Sequence, residues 1–363
     1  MKDLSIASRR MHNSRLTQPT FKTPDEVVRW HGAMQAQDYG PAKWSIGQRA
    51  PGMVDKDLDD ALAAGSIIRT HALRPTWHFL ARSDLRWVLA LTGPRVQQSN
   101  RGRYRELELD ERTLARCERT IATALEGGDR LTRTEMGDVL DGARIDRSGQ
   151  RFSYILMHCE LETIICSGGV AGKQHTYALV DDRVPTDARF DRDRALVELT
   201  RRYLTSHGPA TIKDLRWWSS LTVSDIKQAL NELGSDVRSE EVDDLTLWSM
   251  ATGRPDPDRE RGAHLLQAYD EIIVGYTESR FLGDPRADVA RTAWANRTLP
   301  TGVVLFEGAI AGRWRRKIQA LSVSIEVVLL ARPSAREARE LEGAADRLGG
   351  FLGRAWKLDV MTP

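Results

Sequence analysis

The chain has 363 residues, 41% of them hydrophobic and 29% charged, with a formal net charge of +2. That length suits two or three domains with cores of their own, and the balance excludes wholesale disorder. No apolar run reaches the roughly 18–20 residues of a membrane-spanning helix, so no membrane association is expected. The start, Met1-Lys2-Asp3-Leu4, carries no apolar stretch ahead of a cleavage site, and no signal peptide is read there. Cys117, Cys159 and Cys166 lack CxxC spacing and read as reduced thiols, not as a disulfide framework or a zinc site. A cytoplasmic protein is expected.

Charge is unevenly spread. Residues 69–105 hold eight arginines and no lysine, against the single acid Asp84, and residues 313–317 read Arg-Trp-Arg-Arg-Lys. Clustered positive charge neutralises phosphates and releases counterions. An arginine-rich composition accounts for part of it, since only nine of the 53 basic residues are lysine.

Three stretches repeat one pattern: a capped helix, a turn, a second helix, then an alternating hairpin. The first lies in residues 1–82. Thr23-Pro24-Asp25-Glu26 is a helix start with proline in the first turn, a second helix near 58–64 ends at Gly65, and residues 67–80 read as two strands around Arg74-Pro75. A helical connector is expected over 83–126. The second unit, 127–190, opens with the capping pair Thr132 and Glu135, continues with a helix over about 149–167 broken by Gly168-Gly169, and ends in a hairpin over 170–180. In the third, 191–254, Thr211 with Asp214 and Thr222 with Asp225 cap two successive helices, and Gly234 stops the second. The polar face of that second helix offers Ser224, Lys227, Gln228 and Asn231, a composition suited to a DNA groove. After a loop at Pro255-Asp256-Pro257-Asp258, residues 255–363 read as a separate α+β piece. Strand-like runs are expected at 265–276 and 303–314, the latter with Gly308 and Gly312 near a turn, and strands at 322–330 and 356–360, with a helix at 334–348. The fold class is therefore α+β: three tandem winged helix-turn-helix modules and a β-rich C-terminal part.

Several segments resemble a bacterial winged-helix family that includes the AlkZ-like DNA glycosylases. They are Gln35-Ala36-Gln37, the stretch from Arg69 through His71, Arg74 and Pro75 to His78, His207-Gly208-Pro209-Ala210-Thr211 with Trp217-Trp218, the run from Tyr269 to Tyr276, and Gly308 to Arg316. The resemblance runs from about residue 5 to 360. It implies three winged helices in a concave arrangement around duplex DNA, and hydrolysis of the N-glycosidic bond of N7-alkylated purines, including bulky or crosslinked ones. It also implies that Gln35 and Gln37 are the catalytic pair; relatives with Asp at the second place exist.

The residues allow that chemistry. A glutamine amide does not titrate, but its carbonyl orients a water and its dipole favours positive charge developing on the sugar. An N7-alkylguanine is already cationic and leaves as a neutral base without a strong acid. The motif holds no lysine, so water is the expected nucleophile and no Schiff-base lyase step follows. Two residues apart on a helix, Gln35 and Gln37 would face opposite ways; they share a site only if the helix from Thr23 ends near Met34 and the motif is extended. Asp38, Gly40 and Pro41 favour that ending.

The expected DNA contacts are Arg69, His71, Arg74 and His78 in the first unit, Lys227, Gln228 and Asn231 in the third, and Arg313, Arg315, Arg316 and Lys317 on a C-terminal hairpin. His71 and His78 fall on opposite faces of strands and do not make a metal pair. Asp38 is read as a base or a turn cap, Trp30, Trp217 and Trp218 as mostly core, and Asp270 and Glu271 as adjacent acids on opposite faces of an apolar strand. No metal and no organic cofactor are expected. No heptads are present, so a monomer on double-stranded DNA, associated with the nucleoid, is expected. The rival reading is a non-catalytic winged-helix protein, such as a transcriptional regulator, in which the glutamines are incidental.

Overall fold

Thr23 accepts a hydrogen bond from the Glu26 amide, and the Glu26 carboxylate returns one to the Thr23 amide, so helix α2 (Pro24–His31) starts where the chain signals it. Gly32, at φ 79°, ends it in a conformation that a β-carbon disfavours. In this computed structural model, which describes residues 4–172, 174–186, 190–252, 262–282, 284 and 302–362, α2 follows α1 (Leu4–Asn13). It leads into β1 (Met34–Gln35), α3 (Tyr39–Gly47), α4 (Asp55–Ala64) and the hairpin β2 (Ile67–Ala72) and β3 (Thr76–Ala81). The three strands form one sheet in the order β1-β3-β2.

The same order of helix, short strand, two helices and hairpin recurs twice. After the long α5 (Leu85–Glu106) come α6 (Glu111–Ala124), β4 (Leu131–Thr132), α7 (Arg133–Gly142), α8 (Arg151–Leu161), β5 (Ile165–Ala171) and β6 (Gln174–Leu179), then the short α9 (Val180–Arg183). The third run is α10 (Arg192–His207), a single bridge between Ala210 and Trp248, α11 (Ile212–Ser219), α12 (Val223–Leu233), β7 (Val237–Val242) and β8 (Leu245–Met250). This is the element order of a winged helix. The C-terminal part is β9 (Ala263–Gln267), α13 (Glu271–Val274), β10 (Gly302–Phe306), β11 (Ala309–Ile318), β12 (Ser322–Leu329), α14 (Ala335–Leu352) and β13 (Ala355–Met361). Its sheet runs β13-β12-β11-β10-β9, with the one parallel pair, β12 and β13, joined across α14. The chain is α+β.

Cores are shared between these parts. Trp44, Leu58, Ile67 and Phe79 of the first run pack with Val304, Trp314, Ile325 and Phe351 of the C-terminal part, and the Trp44 indole donates to the Leu265 carbonyl at 2.7 Å. A second core joins Leu85, Val88 and Leu89 of α5 to Leu196, Leu199, Tyr203 and Trp218 of the third run. Leu114, Cys117 and Ile121 of α6 pack with Met136, Leu140 and Leu156, so the second half of the expected connector is part of the second run's core. All three cysteines are buried thiols.

Two local readings are corrected. The helix expected over 149–167 ends at Leu161, because Thr163 turns left-handed at φ 57° and the β-branched Ile164-Ile165 pair begins a strand; Gly168-Gly169 makes a bulge within β5 and breaks nothing. The strand expected over 265–276 stops at Gln267, and the Asp270 side chain accepts from the Ile272 amide to open α13. The turn expected near Gly308 is present: β10 and β11 form a hairpin that turns through Glu307 and Gly308. The Pro255–Asp258 loop lies outside the described residues. Among the described residues, no helix is long and apolar enough to cross a membrane.

Candidate active site

With α2 stopped at Gly32, the chain is extended through Gln35 and Ala36. Gln35 pairs with His78 across β1 and β3, and the Ala36 amide donates to the Trp77 carbonyl at 2.7 Å. Ala36 is fully buried, and Gln37 lies at the bend that leads into α3, so only Gln35 of the two glutamines lines the cleft described below. Gln35 is only 7% exposed, whereas Gln37 is open to solvent. Both side-chain carbonyls already accept one bond. Arg74 Nη2 donates to Gln35 Oε1 at 2.8 Å, and the Trp77 amide donates to Gln37 Oε1 at 3.3 Å. Each amide keeps its second lone pair and its NH2 group for a water or a substrate.

Gln35 sits in the wall of a cleft of about 870 Å3. The cleft is built by four separated pieces of chain: Gln35 and the β2–β3 turn with Arg74, α5 with Arg95, α11 with Lys213, Arg216 and Trp217, and the segment around α13 with Tyr269 and Arg280. Five cationic side chains line it, and among the described residues no carboxylate does. Burial lowers the pKa of Arg74, and it takes Arg280 down to about 10. Trp217 is 48% exposed, which corrects its expected place in the core; its neighbour Trp218 is fully buried. The Trp217 indole N–H reaches the Val274 carbonyl at 3.3 Å, and the Arg74 guanidinium lies 5.5 Å from its ring centroid.

Beneath Gln35 lies a polar interior. Glu271 is 1% exposed; its Oε1 accepts from the Gln35 amide at 2.6 Å, and its Oε2 accepts from the Trp218 indole at 2.9 Å and lies 3.1 Å from His207 Nε2. Burial opposes its charge, but the bonds from His207 and Gln35 and the positive charge of Arg74 prevail and bring its pKa down to about 2. Its neighbour Asp270 forms a two-pronged ion pair with Arg49 at 2.8 and 2.9 Å, both residues fully buried. The expected placement of these acids on opposite faces of a strand is therefore corrected: they stand at the head of α13 and reach into the body. Gly275 is required nearby, since a β-carbon there would come within 2.6 Å of the His207 ring.

The structure distributes the sequence candidates unevenly. His78 is fully buried, and desolvation takes its pKa to about 3, so it lies under the site and not on a DNA-facing surface. His71 is 5% exposed and its Nδ1 is paired with the Glu160 carboxylate, which removes it likewise. Arg69 is half-buried; its Nε donates to the Ala36 carbonyl at 3.0 Å and its Nη2 to the Gln37 carbonyl at 3.4 Å, so it braces the motif. The two histidine corrections have one cause: the hairpin is no free wing, since β2 is covered by α5, α8 and β5 and β3 by α2 and β1. Arg74 alone of that group lines the cleft. On α12, Lys227, Gln228 and Asn231 are exposed and none lines the cleft; Gln228 reaches Asp193 at 3.0 Å. On β11, Arg313, Arg315 and Lys317 are exposed. Arg315 is tied to Glu326 at 2.7 Å, and Arg316 turns inward beside Asp38 and Gly40, in a second hollow of about 460 Å3 that shares Tyr269 with the cleft. Sequence reasoning missed Glu271, His207, Trp217 and Tyr269. The Asp270 cap followed by Gly275 was the available sign that this run is a turn of helix and not a strand. Among the described residues, no group of three His, Cys, Asp or Glu side chains is placed to hold a metal ion.

A family model described as DNA glycosylase AlkZ-like matches residues 28–351. The chain belongs to the AlkZ-like DNA glycosylase family. It is thus an enzyme of a class that hydrolyses N-glycosidic bonds, with DNA as its substrate. It is 22% identical over 340 residues to an interstrand DNA cross-link repair glycosylase of Streptomyces sahachiroi, covering 87% of this chain and 88% of that protein. The structure of the Streptomyces sahachiroi DNA glycosylase AlkZ superposes over 100% of both chains with a TM-score of 0.78 at 20% identity, which shows a common fold.

Proposed function

We propose that this glycosylase removes N7-alkylated purines, bulky or crosslinked ones included, from double-stranded DNA, with Gln35 and Gln37 placing the attacking water. The observation that carries the reading is the position of Gln35 in the wall of a cationic cleft large enough for a nucleotide and its adduct. The three winged-helix runs hold the duplex, and the exposed residues of α12 and β11 hold phosphates outside the cleft. The bond between C1′ and N9 breaks with its electron pair left on the purine, which turns the cationic base neutral. Water adds to C1′ and its surplus proton passes to solvent. Gln35 and Gln37 each keep a free lone pair and an NH2 group, which suits holding a water and does not suit deprotonating one. The site therefore acts on a leaving group that is already activated, and ordinary guanine resists it. The motif itself holds no lysine, so water is the nucleophile and the product is an intact abasic site. The protein works as a monomer where the DNA is, in the cytoplasm at the nucleoid.

The test is a duplex carrying one N7-methylguanine, and a second carrying a bulkier N7 adduct, with free base and strand scission measured separately. Release of the modified base with no scission before alkali supports the reading. Failure on both lesions, with salt-dependent DNA binding intact, contradicts it.

A further inference from the structure

Departure of a cationic purine moves the positive charge from the base to the sugar, and a neutral pair of glutamines offers that sugar no counter-charge. The cleft wall makes the deficit worse, because it carries five cations and Arg74 touches Gln35 Oε1 itself. One carboxylate stands directly behind the motif. Glu271 holds the backbone of Gln35 at 2.6 Å from the interior side, and it has no lysine or arginine partner within ion-pair distance among the described residues. Its other contacts are the Trp218 indole and His207. The remaining charged or titratable groups that face it are Arg74, Tyr203, Tyr276, His31 and His78. Both of these histidines are fully buried, each with Nε2 lacking a hydrogen-bond partner.

We propose that Glu271 is the positioning residue that makes this site tolerate a sugar cation: it fixes the Gln35 strand and supplies, across that strand, the negative charge that offsets Arg74. This rests on the glycosylase reading. Two unit charges roughly 8–10 Å apart, in surroundings of effective dielectric constant near 20, alter one another's stability by roughly 20-fold. A neutral side chain of the same shape at 271 leaves Arg74 unopposed beside the developing cation. Because the carboxylate is buried, salt screens its effect far less than it screens the exposed cations of the cleft.

The experiment compares binding of two duplexes that need no chemistry, one with a neutral tetrahydrofuran abasic site and one with a cationic pyrrolidine in its place. Wild type, Glu271→Gln, Glu271→Asp and Asp38→Asn are measured at low and at about 0.5 M salt. The expected result is a preference of roughly tenfold or more for the cationic site in wild type, kept at high salt, kept in Asp38→Asn, partly kept in Glu271→Asp and lost in Glu271→Gln. Affinity for the neutral site stays within a few-fold throughout. An equal fall for both duplexes in Glu271→Gln assigns the residue a structural role only and overturns the proposal. Should that variant not fold, loss of the preference in Asp38→Asn or at high salt overturns it instead, and retention in both supports it. Wild type without any preference also overturns it; the glycosylase reading is decided separately, by base release.

Discussion

The two sides of Gln35 are built on opposite principles. Above it, the cleft is lined by long cationic side chains on separate elements, and Arg95, Lys213 and Arg216 are exposed. Below it, Glu271, His207, His78 and the Arg49–Asp270 pair are closed from solvent and tied by short hydrogen bonds. Exposed charges interact weakly, respond to salt and tolerate exchange; buried ones are strongly coupled and fail when one partner is lost. Substitutions below the motif should therefore cost stability or the chemical step, and those above it should cost DNA affinity.

The largest expected effect is at the buried pair. Arg49→Met strands the Asp270 carboxylate in the interior and removes the bonds from Arg49 to the Ser14 and Ser45 carbonyls, and should destabilise the protein by about 3–5 kcal/mol in denaturant unfolding. A loss under about 1 kcal/mol would show that water reaches Asp270 and that the lower layer is not closed.

Acid should reveal the same layer. His31 and His78 are held neutral down to about pH 3 in the folded protein, against an ordinary value of 6.5. Below pH 6.5 the unfolded chain takes up protons that the folded chain refuses, so their contribution is complete above about pH 6.5 and falls away as pH drops toward 3. At pH 5 each costs about 2 kcal/mol relative to neutral pH. Glu271, lowered to about 2, adds a loss of the same sign only below about pH 4.5. Unfolding midpoints of wild type and His78→Gln between pH 4 and 8 check this: the variant should show the shallower acid slope, and parallel curves would contradict it.

Above the motif, Lys213→Ala or Arg216→Ala should leave stability within about 0.5 kcal/mol. Each should weaken binding to any duplex by a few-fold and lower the salt slope of the binding constant by about 1. An unchanged slope would mean that phosphates do not enter this cleft.

Legibility in the sequence followed the range of the interactions. Thr23, Thr132, Thr211, Thr222 and Ser334 each close a capping box with an acid three residues on, and every one of those helix starts could be read locally. The end of α2 ahead of Gln35 could be read too, because Gly40 and Pro41 follow so soon and two glutamines at this spacing can share a face in no helix; the bend at Gln37 could not. What could not be read depends on distant partners. Glu271 meets Gln35 across more than two hundred residues, and nothing near it announces the contact. Trp217 and Trp218 look alike in sequence; the one that faces Tyr203, His207 and Glu271 is buried, and the one that faces the cleft is not. The arginines and histidines of the first hairpin suggested a wing on DNA, and only the packing of α8 and β5 over β2 and of α2 over β3 shows that His71 and His78 serve the interior.

In this reading the N-glycosidic bond is cut at Gln35 and Gln37. Its most direct test is the single-turnover release of N7-methylguanine from duplex DNA by wild type, Gln35→Ala and Gln37→Ala, with the affinity for the same duplex measured alongside. The account predicts a loss of about 100-fold in rate for Gln35→Ala, and a clear loss for Gln37→Ala, at nearly unchanged affinity. Release at the wild-type rate by the folded variants would place the chemistry elsewhere in the molecule.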